Sequence, residues 1–252
     1  MLVTPLIAGY SESLGATAAL MGIIGGLMNI CALFCRPVVG NLADKISKYK
    51  LSFIGAGLMT VSCIGYIAAW NPALVIVSRI INGIGYSCCS VCMSTWMSNM
   101  LPKEKIGSGM GLYGTMNALA MAIAPAIGVS IYERVGYKTA FLLAGIFIIL
   151  TILIIQFVYD KGEPILSDQK ENAGTYKKLE LVDKNVVPVA IIIMLFAIPY
   201  CATQSFLVSY VAKRQLHVTV SLFFPLYAAI ILVLRLSLKN LFDKKPFSFF
   251  CF

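Results

Sequence analysis

Two stretches of the sequence carry residue types that could do metal, redox or phosphate chemistry. "CCSVC" at 88–92 contains a Cys-x-x-Cys spacing that places Cys89 and Cys92 on one helical face. No second cysteine pair or nearby histidine completes four ligands, because His217 is the sole histidine. "GMGLYG" at 109–114 fits a nucleotide-binding glycine pattern, yet it opens an apolar run and follows no strand. We therefore predict no metal site, no nucleotide site and no catalytic residue.

The amino-acid composition is typical of a membrane protein. Of the 252 residues 59% are apolar and 12% are charged, with a mean hydropathy of +0.86. Soluble domains have about 45–50% apolar and about 25% charged residues. The apolar runs are roughly 20 residues long, which spans about 30 Å of hydrocarbon as a helix. We predict an all-α polytopic membrane protein whose surroundings are a lipid bilayer and, despite a net charge of +9, not nucleic acid.

The apolar runs also divide the chain into domains. Residues 1–10 are predicted to be the last half of a helix, and full spans are predicted at 18–39, 51–70, 73–99, 108–131, 138–159, 186–211 and 218–238. Segment 160–185 carries eleven of the 31 Lys, Arg, Asp and Glu residues, which indicates a polar linker. We therefore predict an N-terminal bundle over 1–159, a linker over 160–185 and a partial C-terminal bundle over 186–252.

Two short sequences recur at nearly one offset. "RPVVGNLADK" at 36–45 aligns with "RLSLKNLFDK" at 235–244, and "LIAGY" at 6–10 aligns with "FLVSY" at 206–210. The second copies carry Arg235, Asp243 and Lys244 at the places of the first. "NLADK" is preceded by 40 residues and "NLFDK" by about 55 counted from the end of the linker, whereas about 115 residues follow the first before its half ends and only eight follow the second. We therefore expect an incomplete chain, truncated at both ends, from a parent of about 12 spans in two halves.

The basic residues predict the orientation. Fifteen of the twenty Lys and Arg residues fall on the side of the two repeated clusters and the linker, and four fall on the other side. Positive charge marks cytoplasmic loops. The linker and the loop between the second and third helices are therefore expected in the cytoplasm, in a multi-pass protein of the inner or plasma membrane.

"GNLADKISKYK" at 40–50 resembles the signature between the second and third helices of the major facilitator superfamily. Gly40, Asp44, Lys45 and Lys48 occupy the matching places. The resemblance implies that fold, here with a six-helix N-terminal bundle whose first helix is partial and the first two helices of the C-terminal bundle. It also implies that Asp44 latches the cytoplasmic side closed against basic groups and a helix N-terminus of a neighbouring span. A solvated loop whose lysines only mark the cytoplasmic side is the alternative.

"RIINGIG" at 79–85 resembles the fourth-helix motif of the same family, with Arg79, Gly83 and Gly85 in the matching places. An arginine inside a span usually faces the bundle interior or a water-filled cavity. In the family this arginine is linked to proton coupling. A snorkelling arginine near the interface is the alternative.

"ALAMAIAPAIG" at 118–128 resembles the fifth-helix motif of antiporters. Ala124, Pro125 and Gly128 fit it, while Val129 stands where the motif ends in glycine. Small residues let two helices approach closely, so ordinary packing explains the same residues. The partial match favours an exporter over an importer.

Polar residues inside spans are the candidates for a solute cavity: Asn29, Asn82, Tyr86, Asn117, Tyr200 and Gln204. We expect a monomer that moves a small-molecule substrate by alternating access. Proton-coupled efflux of a drug or metabolite is favoured, with the proton gradient as driving force and no cofactor. A sugar or organic-solute importer and a non-transporting truncated product are the alternatives.

Overall fold

The computed structural model describes residues 2–102, 105–163 and 187–214, together with seven residues between 223 and 233. These stretches contain seven α-helices and no strand, so the all-α prediction is confirmed. The helices are α1 (Thr4–Ser13), α2 (Ala18–Lys45), α3 (Lys48–Ala68), α4 (Pro72–Met100), α5 (Ile106–Val135), α6 (Tyr137–Gln156) and α7 (Val187–Arg214). Most of the expected linker and eighth span lies outside the described residues.

One boundary differs from the expectation. Segment 40–50 was expected to be a loop, yet α2 continues to Lys45 and α3 begins at Lys48. The connection is therefore only Ile46 and Ser47, and the Ile46 N–H still donates to the Leu42 carbonyl at 2.8 Å. The change from apolar to charged residues marks where α2 leaves the hydrocarbon core of the membrane. It does not mark the end of the helix, because a helix satisfies its own backbone hydrogen bonds both inside and outside the membrane.

Local sequence explains the sharp turns between helices. Thr17 begins α2, because its hydroxyl accepts from the Leu20 N–H at 3.4 Å. Asn71 begins α4 in the same way, since its side-chain oxygen accepts from the Leu74 N–H at 3.0 Å. Gly136 joins α5 to α6 with a φ of +96°, a backbone conformation that favours glycine.

The outer surface of the helices is apolar. Five of the described helices, α2 to α6, are long and apolar enough to cross a membrane. On α6, the side chains of Ile146, Leu150 and Leu153 are each about half exposed. A water-soluble protein rarely exposes a continuous apolar face of this kind. The expected bilayer-spanning architecture agrees with these faces.

Helix α4 is the centre of the bundle, because it packs extensively on both α3 and α2. Glycines make both contacts close. A Cβ added at Gly85 would lie 2.6 Å from the Gly55 carbonyl oxygen of α3. A Cβ added at Gly83 would lie 2.7 Å from the Met28 carbonyl oxygen of α2. The two glycines of one motif therefore let α4 approach two different helices.

An aromatic cluster holds α1 against α3 and α6. The Tyr10 hydroxyl donates to the carbonyls of Tyr66 at 2.8 Å and Ala69 at 3.2 Å, near the end of α3. The Tyr10 ring meets Phe141 of α6 edge to face, with centroids 4.9 Å apart. Both rings are buried. The short helix α1 is thereby fixed although it has few turns of its own.

Helix α7 packs on α1. Their contact contains the ion pair between Lys213 Nζ and Glu12 Oε1, at 3.5 Å. The repeated sequences 6–10 and 206–210 lie in these two helices, so the sequence echo corresponds to two helices that meet. Both charged side chains are about half exposed.

Candidate functional site

A cavity of about 460 Å³ lies inside the bundle, between the start of α1 and helices α2 to α6. Most of its wall is apolar, and the polar side chains come chiefly from successive turns of α4. Its lining includes Met28, Met59, Arg79, Asn82, Tyr86 and Met116. A mostly apolar cavity with a few placed polar groups is the usual form of a small-molecule site.

Arg79 is the charged residue of the cavity wall, and it is 1% exposed. Each of the three nitrogens of its guanidinium group contacts α2. Nε donates to the Ile24 carbonyl at 3.2 Å, one terminal nitrogen to the Gly25 carbonyl at 3.4 Å, and the other to Met28 Sδ at 3.5 Å. Three contacts from one planar fork fix the side chain far better than a flexible ammonium could. The arginine therefore lies in the bundle interior and does not snorkel.

Tyr66 of α3 lies beside the same guanidinium, within electrostatic range of it. The Tyr66 ring is fully buried, and its hydroxyl interacts with the Arg79 guanidinium. Burying a hydroxyl costs less free energy when a polar partner lies beside it. This pairing was missed at the sequence level, because nothing in the spacing of α3 and α4 tells which turns face each other.

Asn82 lies one turn beyond Arg79 on α4 and is buried. Its amide nitrogen donates to Ser62 Oγ of α3 at 2.7 Å, and Ser62 Oγ donates in turn to the Met59 carbonyl at 2.7 Å. Tyr86 follows on the next turn and also lines the cavity. Arg79, Asn82 and Tyr86 thus form one polar stripe, which places the expected cavity residues of α4 together.

Three methionines from α2, α3 and α5 line the same cavity: Met28, Met59 and Met116. Methionine is unbranched and polarisable, so a wall built from it adapts to ligands of different shape. These residues were not recognised from the sequence, because a methionine inside an apolar run has no polar signature. Their position in the middle of three separate spans is the signal that was available.

The fifth-helix residues line or support the same cavity. Ala124 lines it, whereas Pro125 and Gly128 are buried. A Cβ at Gly128 would lie 2.6 Å from the Leu2 carbonyl oxygen, so glycine lets the chain start approach α5 closely. The motif residues therefore divide between the cavity wall and helix packing.

The helix 2–3 signature lies at the far end of α2 and the start of α3. Asp44 and Lys45 are exposed in the last turn of α2, Gly40 is half-buried, and Lys48 is 3% exposed as the first residue of α3. Asp44 forms no ion pair with the residues that the structure describes. The expected contact with a neighbouring helix N-terminus stays a prediction.

The remaining candidates lie away from the cavity or outside the description. Asn29 and Asn117 are exposed on α2 and α5 and are not part of the wall described above. Tyr200 and Gln204 belong to α7, but their side chains fall outside the described residues. Arg235, Asp243 and Lys244, the second copy of the signature, also lie outside them.

The cysteines of α4 take part in helix packing. Cys88 and Cys92 are buried, and Cys89 Sγ donates weakly to the Ser52 carbonyl at 3.5 Å. Within 2–102, 105–163 and 187–214, no three His, Cys, Asp or Glu residues group as metal ligands would.

A bundle with glycine-tight helix contacts, an internal arginine and a mostly apolar central cavity is typical of a secondary transporter. The sequence model described as Major Facilitator Superfamily matches residues 1–252. The chain therefore belongs to the major facilitator superfamily and is a multi-pass membrane protein.

Curated relatives of this chain include two proteins named for resistance. The multi-drug resistance efflux pump PmrA of Streptococcus pneumoniae is 33% identical over 184 residues, which cover 71% of this chain and 45% of the pump. The quinolone resistance protein NorA of Staphylococcus aureus is 24% identical over 180 residues, covering 71% of this chain and 44% of that protein. The chain spans less than half the length of these relatives.

The fold is also similar to a solved transporter. A crystal structure of a peptide transporter POT in complex with sulfate matches with a TM-score of 0.59 at 18% identity. The match covers 82% of this chain and 42% of that one. The identity is low, so this likeness supports the fold alone.

Proposed function

We propose that this protein exports a lipophilic small solute, a drug or a metabolite, and that the cavity beside Arg79 binds the solute. The cavity is the observation that carries the proposal. Its wall is apolar and rich in methionine, and one polar stripe on α4 orients the ligand. The similarity to an efflux pump named for multi-drug resistance supports export in preference to import, and a second relative is named for quinolone resistance.

Transport by alternating access requires two bundles that move against each other. The contact between α1 and α7 joins the first bundle to the first helix of the second one. Its ion pair, Glu12 with Lys213, is half exposed, so breaking it costs little. A weak ion pair of this kind suits an interface that opens and closes in every transport cycle.

The proton gradient is the proposed driving force, in a monomer of the inner or plasma membrane. The resemblance of "RIINGIG" to the fourth-helix motif supports this coupling, together with the burial of Arg79 in the cavity wall. The excess of basic residues near Asp44 supports a cytoplasmic position for the α2–α3 junction.

The experiment that tests the proposal fills the cavity. Ala120 lines the cavity from α5, so Ala120→Trp places an indole in the solute site. Efflux of a lipophilic fluorescent dye from energised membrane vesicles should fall to the level of vesicles without the protein. A protonophore should abolish efflux by the unaltered protein, because it collapses the gradient.

Leu150→Trp is the matched control. Leu150 lies on α6, is about half exposed and does not line the cavity. The same bulky residue there should leave dye efflux unchanged. Equal efflux by both variants and the unaltered protein would show that the cavity is not the solute site.

A further inference from the structure

Ser47, the N-cap residue of α3, uses its hydroxyl in an unusual direction. An N-cap serine ordinarily accepts a hydrogen bond from the second or third N–H of its own helix. Ser47 makes no such bond. Its Oγ instead donates to the Lys161 carbonyl, 114 residues away in the chain, at 2.6 Å. The start of α3 is therefore left to be capped by another segment.

The backbone that follows α6 supplies the missing cap. The Lys48 N–H donates to the Gly162 carbonyl at 2.9 Å, and the Tyr49 N–H donates to the Lys161 carbonyl at 3.4 Å. The first N–H groups of any helix have no partner within it. Two consecutive carbonyls of one segment thus satisfy two consecutive N–H groups of another.

Side chains hold this segment in the capping conformation. Lys161 Nζ lies 4.6 Å from the centre of the Tyr49 ring and donates to the Gln156 carbonyl at 3.0 Å. The Gly162 N–H donates to Asp160 Oδ1 at 2.8 Å. Contacts within the segment therefore stabilise the turn, and the contact with Tyr49 holds it against α3.

Gly162 packs against the buried Trp96 of α4. Its φ of +56° favours glycine. A Cβ there would lie 3.0 Å from Lys48 Cβ and 3.0 Å from two atoms of the Trp96 indole. Trp96 is 5% exposed, and its Nε1 has no hydrogen-bond partner in the part of the chain described. A larger residue at 162 would press on both helices.

We propose that residues 160–163 form a clasp that anchors the start of the linker to the α2–α3 junction and couples this start of the linker to the junction during transport. Lys48, the buried member of the helix 2–3 signature, is held by the clasp through its backbone. The junction also touches α4, the helix that carries Arg79, through Trp96. The coupling rests on the proposed transport function, whereas the clasp itself does not.

The clasp is tested by opening it from either side. Ser47→Ala removes the hydroxyl that donates to Lys161 and leaves the linker sequence unaltered. Gly162→Ala introduces the Cβ that Trp96 and Lys48 oppose. In each variant, hydrogen exchange at the Lys48 and Tyr49 amides and trypsin cleavage after Lys161 should accelerate about tenfold, as expected for loss of roughly one net hydrogen bond from a local opening equilibrium.

Gly57→Ala is the control in the same helix, because no atom lies within 4 Å of its added Cβ. It should leave both rates unchanged. Trp96 gives an independent reading, since the chain has two tryptophans and Trp70→Phe leaves Trp96 alone. Its emission should shift to longer wavelength in the two clasp variants. Rates and emission equal to those of Gly57→Ala would overturn the clasp.

Measuring dye efflux tests the proposed coupling independently of the clasp itself. If the clasp couples the linker to the junction, Ser47→Ala slows efflux relative to Gly57→Ala. Faster amide exchange with unchanged efflux would overturn the coupling. If the unaltered protein moves no dye, the proposed function fails, and the exchange rates still decide whether the clasp exists.

Discussion

Gly83 and Gly85 should respond to alanine in the opposite sense from Gly57. At Gly85 the new Cβ would meet the Gly55 carbonyl oxygen at 2.6 Å and Met59 Cγ at 2.9 Å. At Gly83 it would meet the Met28 carbonyl oxygen at 2.7 Å. Because backbone atoms cannot swing aside, α4 must move away from α3 or α2.

The magnitude follows from two opposing contributions. Overpacking of this kind costs about 1–3 kcal/mol. Replacing a helical glycine by alanine gains about 0.5–1 kcal/mol through helix propensity. Gly83→Ala and Gly85→Ala should therefore lower the free energy of unfolding by up to about 2.5 kcal/mol. Gly57→Ala meets nothing within 4 Å and should raise that free energy by about 0.5–1 kcal/mol.

Thiol labelling of the protein in detergent micelles measures these changes. Cys88 and Cys92 of α4 are 5% and 0% exposed, so a maleimide reaches them only when the helices separate. Each 1.4 kcal/mol changes the open population, and thus the labelling rate, about tenfold. Equal labelling rates in all three variants would refute the close approach of α4 to its neighbours.

Three further changes test other contacts. Tyr10→Phe keeps the aromatic packing but loses the bonds to two α3 carbonyls, so labelling of the buried Cys63 should report a loss of about 1–3 kcal/mol. Arg79→Lys keeps the charge but loses the three contacts with α2, so dye efflux should fall at least about tenfold. Arg36→Lys is the control at an exposed site and should leave dye efflux unchanged. Glu12→Lys alone should change efflux by less than about fivefold, because an exposed ion pair contributes about 0.2–1 kcal/mol. Adding Lys213→Glu restores the opposite charges and should restore efflux. Efflux that stays changed in the double variant would count against the ion pair.

Much of the architecture was predictable from the sequence, because hydrocarbon imposes both the length and the apolarity of a span. The helices α2 to α6 begin and end within a few residues of the predicted spans, except at the α2–α3 junction. There, polarity marked the membrane border and not the helix end. Gly136 and the residues Thr17 and Asn71 set the turns by local chemistry that is visible in the sequence.

The candidate site was predictable only in part. Arg79 and Asn82 were found because polar groups inside a span are costly and therefore informative. Asn29 has the same chemistry and is exposed, since polarity alone does not tell which way a helix turns. Met28 and Met59 contribute apolar side chains to the cavity wall, and this position becomes visible only once α2 and α3 are placed around α4. The clasp depends on a contact between Ser47 and Lys161, which are too far apart in sequence for any local pattern.

If the cavity beside Arg79 binds the transported solute, a bound ligand lies against the side chains of its wall. A lipophilic probe carrying a photoreactive diazirine, activated in vesicles and mapped by mass spectrometry, tests it most directly. Crosslinks should form to Met28, Met59 and Met116 and should decrease when an unlabelled transported dye competes. Crosslinks confined to lipid-facing α6 residues such as Leu153, with no competition by the dye, would contradict it.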